Sequence, residues 1–453
     1  MEEGVRHTRA DCRPGSPSPS SAPFFPRPSS AAPLQQHSCP TEESAISAPR
    51  SPWPRRRTGL RALRALTTLT ACAALGAGAP ATAAPSPDHG TRTVDYRGHT
   101  FTVPADWQVV DLERDPTACV RFDRHAVYLG TPGERQDCPA RATGRTESLW
   151  VQPATTPTKS AVTENRTAQV YRASADGIAV TAVYGGDRER IRRVLDSAGL
   201  PVAAARAEKP AGAAPTNTVP AVATTHQGRG FDACTAPGQT SMNAWKTASP
   251  YSAIGIYIGG VNRACNQTKL TAQWVQTQYA NGWRFFPLYV GPQSSASSCG
   301  DACTAITDPV PQGRAAAEDA VAQAGALGLD KGTVIYNDLE QYDRGGTVTA
   351  QVLDYLKAWT VRLHELGFRS GAYGSVSSLV ADLVANARTT TLPDVIHFAR
   401  WNDDDTTADP ALPASLWPDH QRIHQYAGDQ RETYGEVTIN IDRNQLDVGS
   451  GTP

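Results

Sequence analysis

The sequence contains no run of about 18 apolar residues, the length a membrane-spanning helix needs, so no transmembrane segment is expected. An excess of either charge is missing too: Lys and Arg number 43 against 44 Asp and Glu, a formal net charge of −1. With no long basic run in the C-terminal two-thirds, the electrostatic case for nucleic-acid binding is excluded. There is no HExxH-type helix, no zinc-like cysteine spacing and no Gly-rich phosphate loop after a strand. No metal or cofactor is therefore expected. What is present is 40% hydrophobic and 19% charged residues in a chain of 453, enough for two or three folded units.

Residues 1–54 are rich in Ser, Pro and Ala and lack apolar periodicity. Such a segment cannot bury enough surface to offset its ordering, and disorder is expected there. Arg55-Arg56-Arg57, with Arg61 and Arg64, then precedes a weakly apolar stretch over 65–79 and the small-residue exit Ala81-Thr82-Ala83-Ala84-Pro85. A basic head, an apolar centre and a small-x-small exit make a secretory signal peptide over 55–84. The adjacent arginines suit twin-arginine export. Fifty polar residues ahead of it, with Met at positions 1 and 242 alone, place the first Met upstream of the expected true start. Leu69-Thr70-Ala71-Cys72 also has the form of a lipoprotein cleavage box, ranked second because Arg64 leaves little apolar length before it.

Removal of that leader discards Cys12, Cys39 and Cys72 and leaves six cysteines: Cys119, Cys138, Cys234, Cys265, Cys299 and Cys303. An even set in an exported chain suggests disulfides, and six cysteines allow about fifteen pairings. Proximity favours 119–138, 234–265 and 299–303.

Residues 85–200 read as a small β-rich α+β domain of unassigned role. Strand-like runs at 94–103, 107–112, 119–129, 147–152 and 169–184 are rich in β-branched and aromatic residues, and 188–200 has helical spacing. Tyr96, Trp107, Tyr128 and Trp150 are read as core. An Ala/Pro/Thr/Val linker is expected over 201–227. From 228 to 450 the rhythm changes to strands at 230–234, 253–258, 283–290, 333–338, 369–373, 395–401, 422–426 and 437–442. These alternate with helical stretches at 270–281, 313–327, 348–366 and 375–387. Alternation implies a parallel sheet. Eight strands in about 220 residues imply an irregular (β/α) TIM-type barrel, with about five β/α units and then three strands.

Chemistry in such a barrel sits where strands end. Three strands end in acids: Gly230-Phe231-Asp232, Tyr336-Asn337-Asp338-Leu339-Glu340 and Asn440-Ile441-Asp442-Arg443-Asn444. Residues two apart on a strand share a face, so Asp338 and Glu340 are expected in one cavity. Neighbouring carboxyls separate in pKa; one keeps a proton for a leaving oxygen and the other stays anionic, the two tasks of glycoside hydrolysis. Tyr257, Tyr289, Tyr336, Tyr373, Trp401, Gln425 and Tyr426 lie in or at strand ends and are candidate sugar contacts, since aromatic faces pack on sugar C–H surfaces and amides bind hydroxyls. Asn402-Asp403-Asp404-Asp405 lacks the spacing of a calcium loop and reads as a solvated acidic turn. Gly374-Ser375-Val376-Ser377 is not a nucleophile elbow.

The motifs Gly230-Phe231-Asp232-Ala233-Cys234, Tyr336-Asn337-Asp338-Leu339-Glu340, His424-Gln425-Tyr426 and Asn440-Ile441-Asp442-Arg443-Asn444 resemble those of family 25 glycoside hydrolases, the Chalaropsis-type lysozymes. They resemble more closely a related actinobacterial glycoside-hydrolase-like domain of unknown function. The resemblance covers about 228–448. It implies Glu340 as general acid, Asp338 as its charged partner, and Asp232 and Asp442 lining the site. It also implies the β-1,4 bond of peptidoglycan as substrate, so the expected partner is a cell-wall glycan. Cys234 and the run 294–303 depart from the lysozyme pattern. The expectation is a secreted or wall-associated monomer acting as a muramidase-like hydrolase; the alternative is a non-catalytic wall-glycan binding protein on the same barrel.

Overall fold

The computed structural model describes residues 90–154, 159–207 and 217–451. The expected disordered segment, signal peptide and Cys72 box lie outside these residues.

The N-terminal part opens with a hairpin of β1 (Thr91–Tyr96) and β2 (His99–Pro104). A seven-stranded sheet follows, made of β3 (Gln108–Asp111), β4 (Ala126–Leu129), β5 (Ser148–Pro153), β6 (Ala161–Asn165), β7 (Val170–Ala175), β8 (Ile178–Val183) and β9 (Arg206–Ala207) in the order β3-β4-β5-β8-β7-β6-β9. Two expected single strands are hairpins instead. Arg97-Gly98 breaks the first, both residues taking positive φ, and Asp176-Gly177 breaks the second. Helix α1 (Arg188–Ser197) starts where the Asp187 carboxylate accepts from Arg190 N at 2.8 Å, and it buries Ile191, Val194 and Leu195. Both described flanks of the 201–227 stretch are packed: Val202 lies in the sheet's core, while Val219 and Ala223 join the barrel's.

The second part is a closed eight-stranded barrel of β10 (His226–Asp232), β11 (Ala253–Gly259), β12 (Arg284–Tyr289), β13 (Val334–Asp338), β14 (Arg369–Ser375), β15 (Val395–Ala399), β16 (Gln421–Tyr434) and β17 (Val437–Val448). Between the first five strands and their successors run α2 (Gln239–Ala248), α3 (Ala272–Ala280), α4 (Pro309–Ala326), α5 (Gly346–Leu366) and a π turn continued by α6 (Ala381–Ala385). The last three strands have no such helix between them. Seven strands run parallel, but β17 is antiparallel to both β16 and β10, which departs from the all-parallel expectation. The cause is local. Gly435 and Glu436 both take positive φ, 54° and 64°, in a two-residue turn that holds Tyr434 opposite Val437, and a tight turn of that kind reverses the chain.

Strand alternation sorts the side chains into two cores. Phe231, Ile254, Phe285, Ile335 and Ile441 face outward to the helices, where Met242, Trp245, Tyr355 and Trp359 meet them. Ala253, Phe286, Leu288, Val334, Tyr336, Val395, Ile423 and Leu446 fill the barrel. Helices α4 and α5 approach closely over Gly313, Ala316, Ala317 and Ala320; a Cβ on Gly313 would stand 2.3 Å from Tyr355 O. The N-terminal sheet and the barrel belong to one compact unit. Thr143 bridges to Arg263 and Arg121 to Cys265 in β fashion. Gly144 adopts φ +102°, and any Cβ there would meet Ala302 O at 2.7 Å, so residues 141–145 lie flush on the barrel.

The six cysteines form three disulfides, Cys119–Cys138, Cys234–Cys265 and Cys299–Cys303. Among the described residues, no helix is long and apolar enough to cross a membrane.

Candidate active site

Barrel closure determines which acids meet. The antiparallel register of β10 with β17 sets Asp232 directly opposite Asp442, both wholly buried. Asp232 accepts hydrogen bonds from Tyr257 Oη at 2.9 Å, Gln425 Nε2 at 3.2 Å and Asn444 Nδ2 at 2.7 Å. Burial raises its carboxyl above the ordinary range, and these three donors oppose the rise. Asp442 accepts from the Asp429 amide at 2.7 Å, and burial followed by the charge of Asp232 raises it to about 8.

Asp338 ends β13 with its side chain in the barrel, in step with Val334 and Tyr336. Its Oδ1 is buried without a hydrogen-bond partner among the described residues. Burial, then Glu340 and Asp232, push its carboxyl well above the usual value. Asp338 is the expected charged partner of Glu340, and strand parity places its side chain inside the barrel. Glu340 lies beyond the strand end and is half-buried. Gln293 ties the pair together, accepting from Glu340 N at 2.8 Å and donating to Asp338 O at 2.7 Å.

Two contacts come from the N-terminal part, which sequence reasoning left without a role. Thr143 Oγ1 donates to Glu340 Oε1 at 2.7 Å, and Arg141 Nη1 reaches Asp442 Oδ2 at 3.5 Å. The Arg141 guanidinium also stacks over Trp401, 4.1 Å from the ring centroid. Burial works against its charge, but Asp442, Tyr373 and Glu340 more than restore it. Arg141 in turn opposes the upward shifts of Asp232, Asp338 and Asp442.

Above the acids is a cavity of about 350 Å³ lined by Arg141, Glu340, Gln341, Tyr373, Ser375, Val376, Ala399, Arg400 and Trp401. Of the four acids, Glu340 alone lines it. Trp401, 49% exposed, stands on the cavity wall beside Arg141, and its Nε1 and the Tyr373 hydroxyl both donate to Gln425 Oε1, at 3.1 and 2.9 Å. The group of described residues with metal-ligand proximity is Cys119, Cys138 and Cys265, and their sulfurs are engaged in disulfides.

Residues 243–446 match the family described as Rv2525c-like, glycoside hydrolase-like domain. The match runs from within α2 into β17 and so takes in most of the barrel. Similar solved structures include the Tat-secreted protein Rv2525c of Mycobacterium tuberculosis, 16% identical, with 49% of this chain and 96% of that chain covered and a TM-score of 0.35. An uncharacterized protein of B. stearothermophilus is 18% identical, over 48% and 95% of the two chains, with a TM-score of 0.34. The spore cortex lytic enzyme SleM of Clostridium perfringens is 12% identical, over 49% and 67%, with a TM-score of 0.35. No curated protein matches the chain.

Within the matched region, three expected sugar contacts lie elsewhere. Tyr289 points outward, its hydroxyl on Asp319 of α4 at 2.9 Å and its ring on Trp359, because Phe286 and Leu288 hold the inward positions of β12. Tyr426 follows Gln425 on β16 where the pairing with β17 shifts register, and it lines a separate hollow with Arg229, Tyr251 and Glu432. Tyr336 does face inward but is wholly buried under His397 as barrel filling. His397 is itself held neutral by burial, its pKa lowered to about 3, and its Nε2 contacts Asn444 Oδ1 at 2.7 Å. Tyr257, Tyr373, Trp401 and Gln425 do gather at the acids.

Proposed function

We propose that the chain is an exported glycoside hydrolase on an irregular TIM-type barrel, acting without a cofactor on a cell-wall glycan of the peptidoglycan class. The observation that carries this reading is the convergence of Asp232, Asp338 and Asp442, all buried, behind one cavity-lining acid, Glu340. Cleaving a glycosidic bond requires a proton at the leaving oxygen and stabilisation of positive charge on the sugar ring. Glu340 delivers the proton. Asp338, neutral behind it, donates a hydrogen bond to a sugar hydroxyl or N-acetyl oxygen. Asp232, fixed by Tyr257, Gln425 and Asn444, supplies negative potential beneath the ring. Trp401 and Tyr373 carry the sugar's apolar faces. Three disulfides support export, as does the leader expected over 55–84. In this reading residues 85–200 and 228–450 are two domains of a monomer, joined through 201–227, with the first contributing Arg141 and Thr143 to the cleft of the second.

Glu340→Gln is expected to abolish release of reducing ends from peptidoglycan while the circular dichroism spectrum stays unchanged. Turnover equal to that of the wild type refutes the assignment. The bond from Thr143 to Glu340 favours a second reading, a wall-glycan binding protein whose acid is held by a hydroxyl rather than used. Sedimentation with insoluble peptidoglycan, run beside a turnover assay on the same material, separates the two: binding without soluble muropeptides supports the second.

A further inference from the structure

The connection between β4 and β5 crosses the mouth of the barrel as a strap over residues 134–145. At its near end Glu134 pairs with Lys269 at 3.1 Å, and Asp137 pairs with Arg431 of the β16–β17 hairpin at 2.8 Å. In the middle Arg141 reaches Asp442 of β17 and lies over Trp401, and Thr143 bonds Glu340. At the far end Gly144 N donates to Asn262 O at 2.9 Å and Arg145 N to Ala302 O at 2.8 Å, in the loops after β11 and β12. The strap leaves open the side of β13, β14 and β15, whose ends bring Glu340, Tyr373, Ser375 and Trp401 to the 350 Å³ cavity. Arg141 is the strap's own side chain on that cavity's wall.

The strap is held at both ends. Cys138 is crosslinked to Cys119, Thr143 forms a β-bridge with Arg263, and Gly144 leaves no room for a Cβ against Ala302 O. A segment with covalent and backbone anchors of this kind opens only with the fold around it, so the strap is a fixed wall of the cleft.

A site that cuts within a glycan chain needs room for sugars on both sides of the acid that protonates the bond. Here Thr143 and Arg141 occupy one side of Glu340, and the other three acids are buried. The cavity volume is at the low end of the range for small-molecule sites, room for the stub of a chain rather than for a strand passing through. Building on the hydrolase reading, we infer that the cleft is closed on one side and takes the end of a wall-glycan chain, with Arg141 as the specificity-determining stop against which the terminal sugar rests. Cleavage then removes short saccharides from chain ends and spares chain interiors.

The test gives the full chain size-fractionated glycan strands of peptidoglycan freed of their stem peptides, with products followed by size-exclusion chromatography and mass spectrometry. Monosaccharides or disaccharides are expected from the outset while the long-strand peak keeps its position. Fragments of intermediate length early in the digest overturn the closed cleft and leave the hydrolase reading standing. Arg141→Ala, at a side chain 33% exposed, is expected to move the products toward intermediate lengths. An unchanged product pattern in that variant overturns Arg141 as the stop. If the wild type cuts nothing, the hydrolase reading falls, and calorimetric binding of the same fractions decides the shape of the cleft. Affinity that levels off once a chain end fills the cavity supports a closed side; affinity that climbs steadily with chain length, or no binding, overturns it.

Discussion

Asp442 gives the sharpest physical test of the buried acids. Its carboxyl titrates near 3.8 in an unfolded chain and is raised to about 8 in the native barrel, by burial and then by Asp232. Between those values the native state holds a proton that the unfolded chain has released. Its contribution to stability is therefore full below about 3.8 and is lost as pH rises through about 8. One proton corresponds to about 1.4 kcal/mol per pH unit, so an interval of about four units bounds the effect near 6 kcal/mol. Asp232 shares the titration, and part of that sum belongs to the pair. Asp442→Asn keeps an oxygen for the Asp429 amide but removes the ionisation. We expect it to flatten the fall in unfolding free energy between pH 5 and pH 9 by about 2–4 kcal/mol, making the variant more stable than the wild type at pH 9. Urea unfolding at pH 5, 7 and 9 measures this. Parallel pH profiles for the two proteins would refute the placement of a buried, proton-holding acid at this position.

Arg141→Met removes the cation 3.5 Å from Asp442. Since Arg141 is about one-third exposed, its attraction is discounted to about 1–2 kcal/mol, and the Asp442 midpoint should climb by about one pH unit in a carboxyl NMR titration. Gly255→Ala would put a Cβ 2.5 Å from both Asp232 Cβ and Phe286 Cε2; a loss of about 1–3 kcal/mol in thermal or chemical unfolding is expected, with Asp232 displaced. Replacing Cys234 and Cys265 by Ser opens a crosslink spanning 31 positions, against 4 for Cys299 and Cys303. Chain-entropy arguments give losses of about 4 and about 2 kcal/mol, a ranking that denaturant unfolding of the two double variants checks.

Much of the barrel was legible because buried strands such as Ala253–Gly259 and Val334–Asp338 read as short apolar runs, and because acids stand at their ends. Helix α2 escaped notice, since its buried Met242 and Trp245 stand among polar residues. Tyr289 and Tyr426 were misplaced because proximity to a strand end says nothing about parity, which depends on register with the neighbouring strand. Arg141 and Thr143 were illegible for a different reason. They stand 301 and 197 positions from their partners Asp442 and Glu340, on a segment whose course depends on Gly144 fitting against Ala302. No local pattern encodes a contact of that kind.

The two longer disulfides also bear on how the chain matures. Cys119, Cys138 and Cys265 bring their sulfurs within 4.8 Å of one another, although Cys119–Cys138 and Cys234–Cys265 are separate crosslinks. Sulfurs that near can exchange partners, because a thiolate freed from one bridge has the other within striking range. The seam between sheet and barrel is thus where oxidative maturation can go astray, trading two correct crosslinks for a scrambled pair that would tether the same two halves in the wrong alignment.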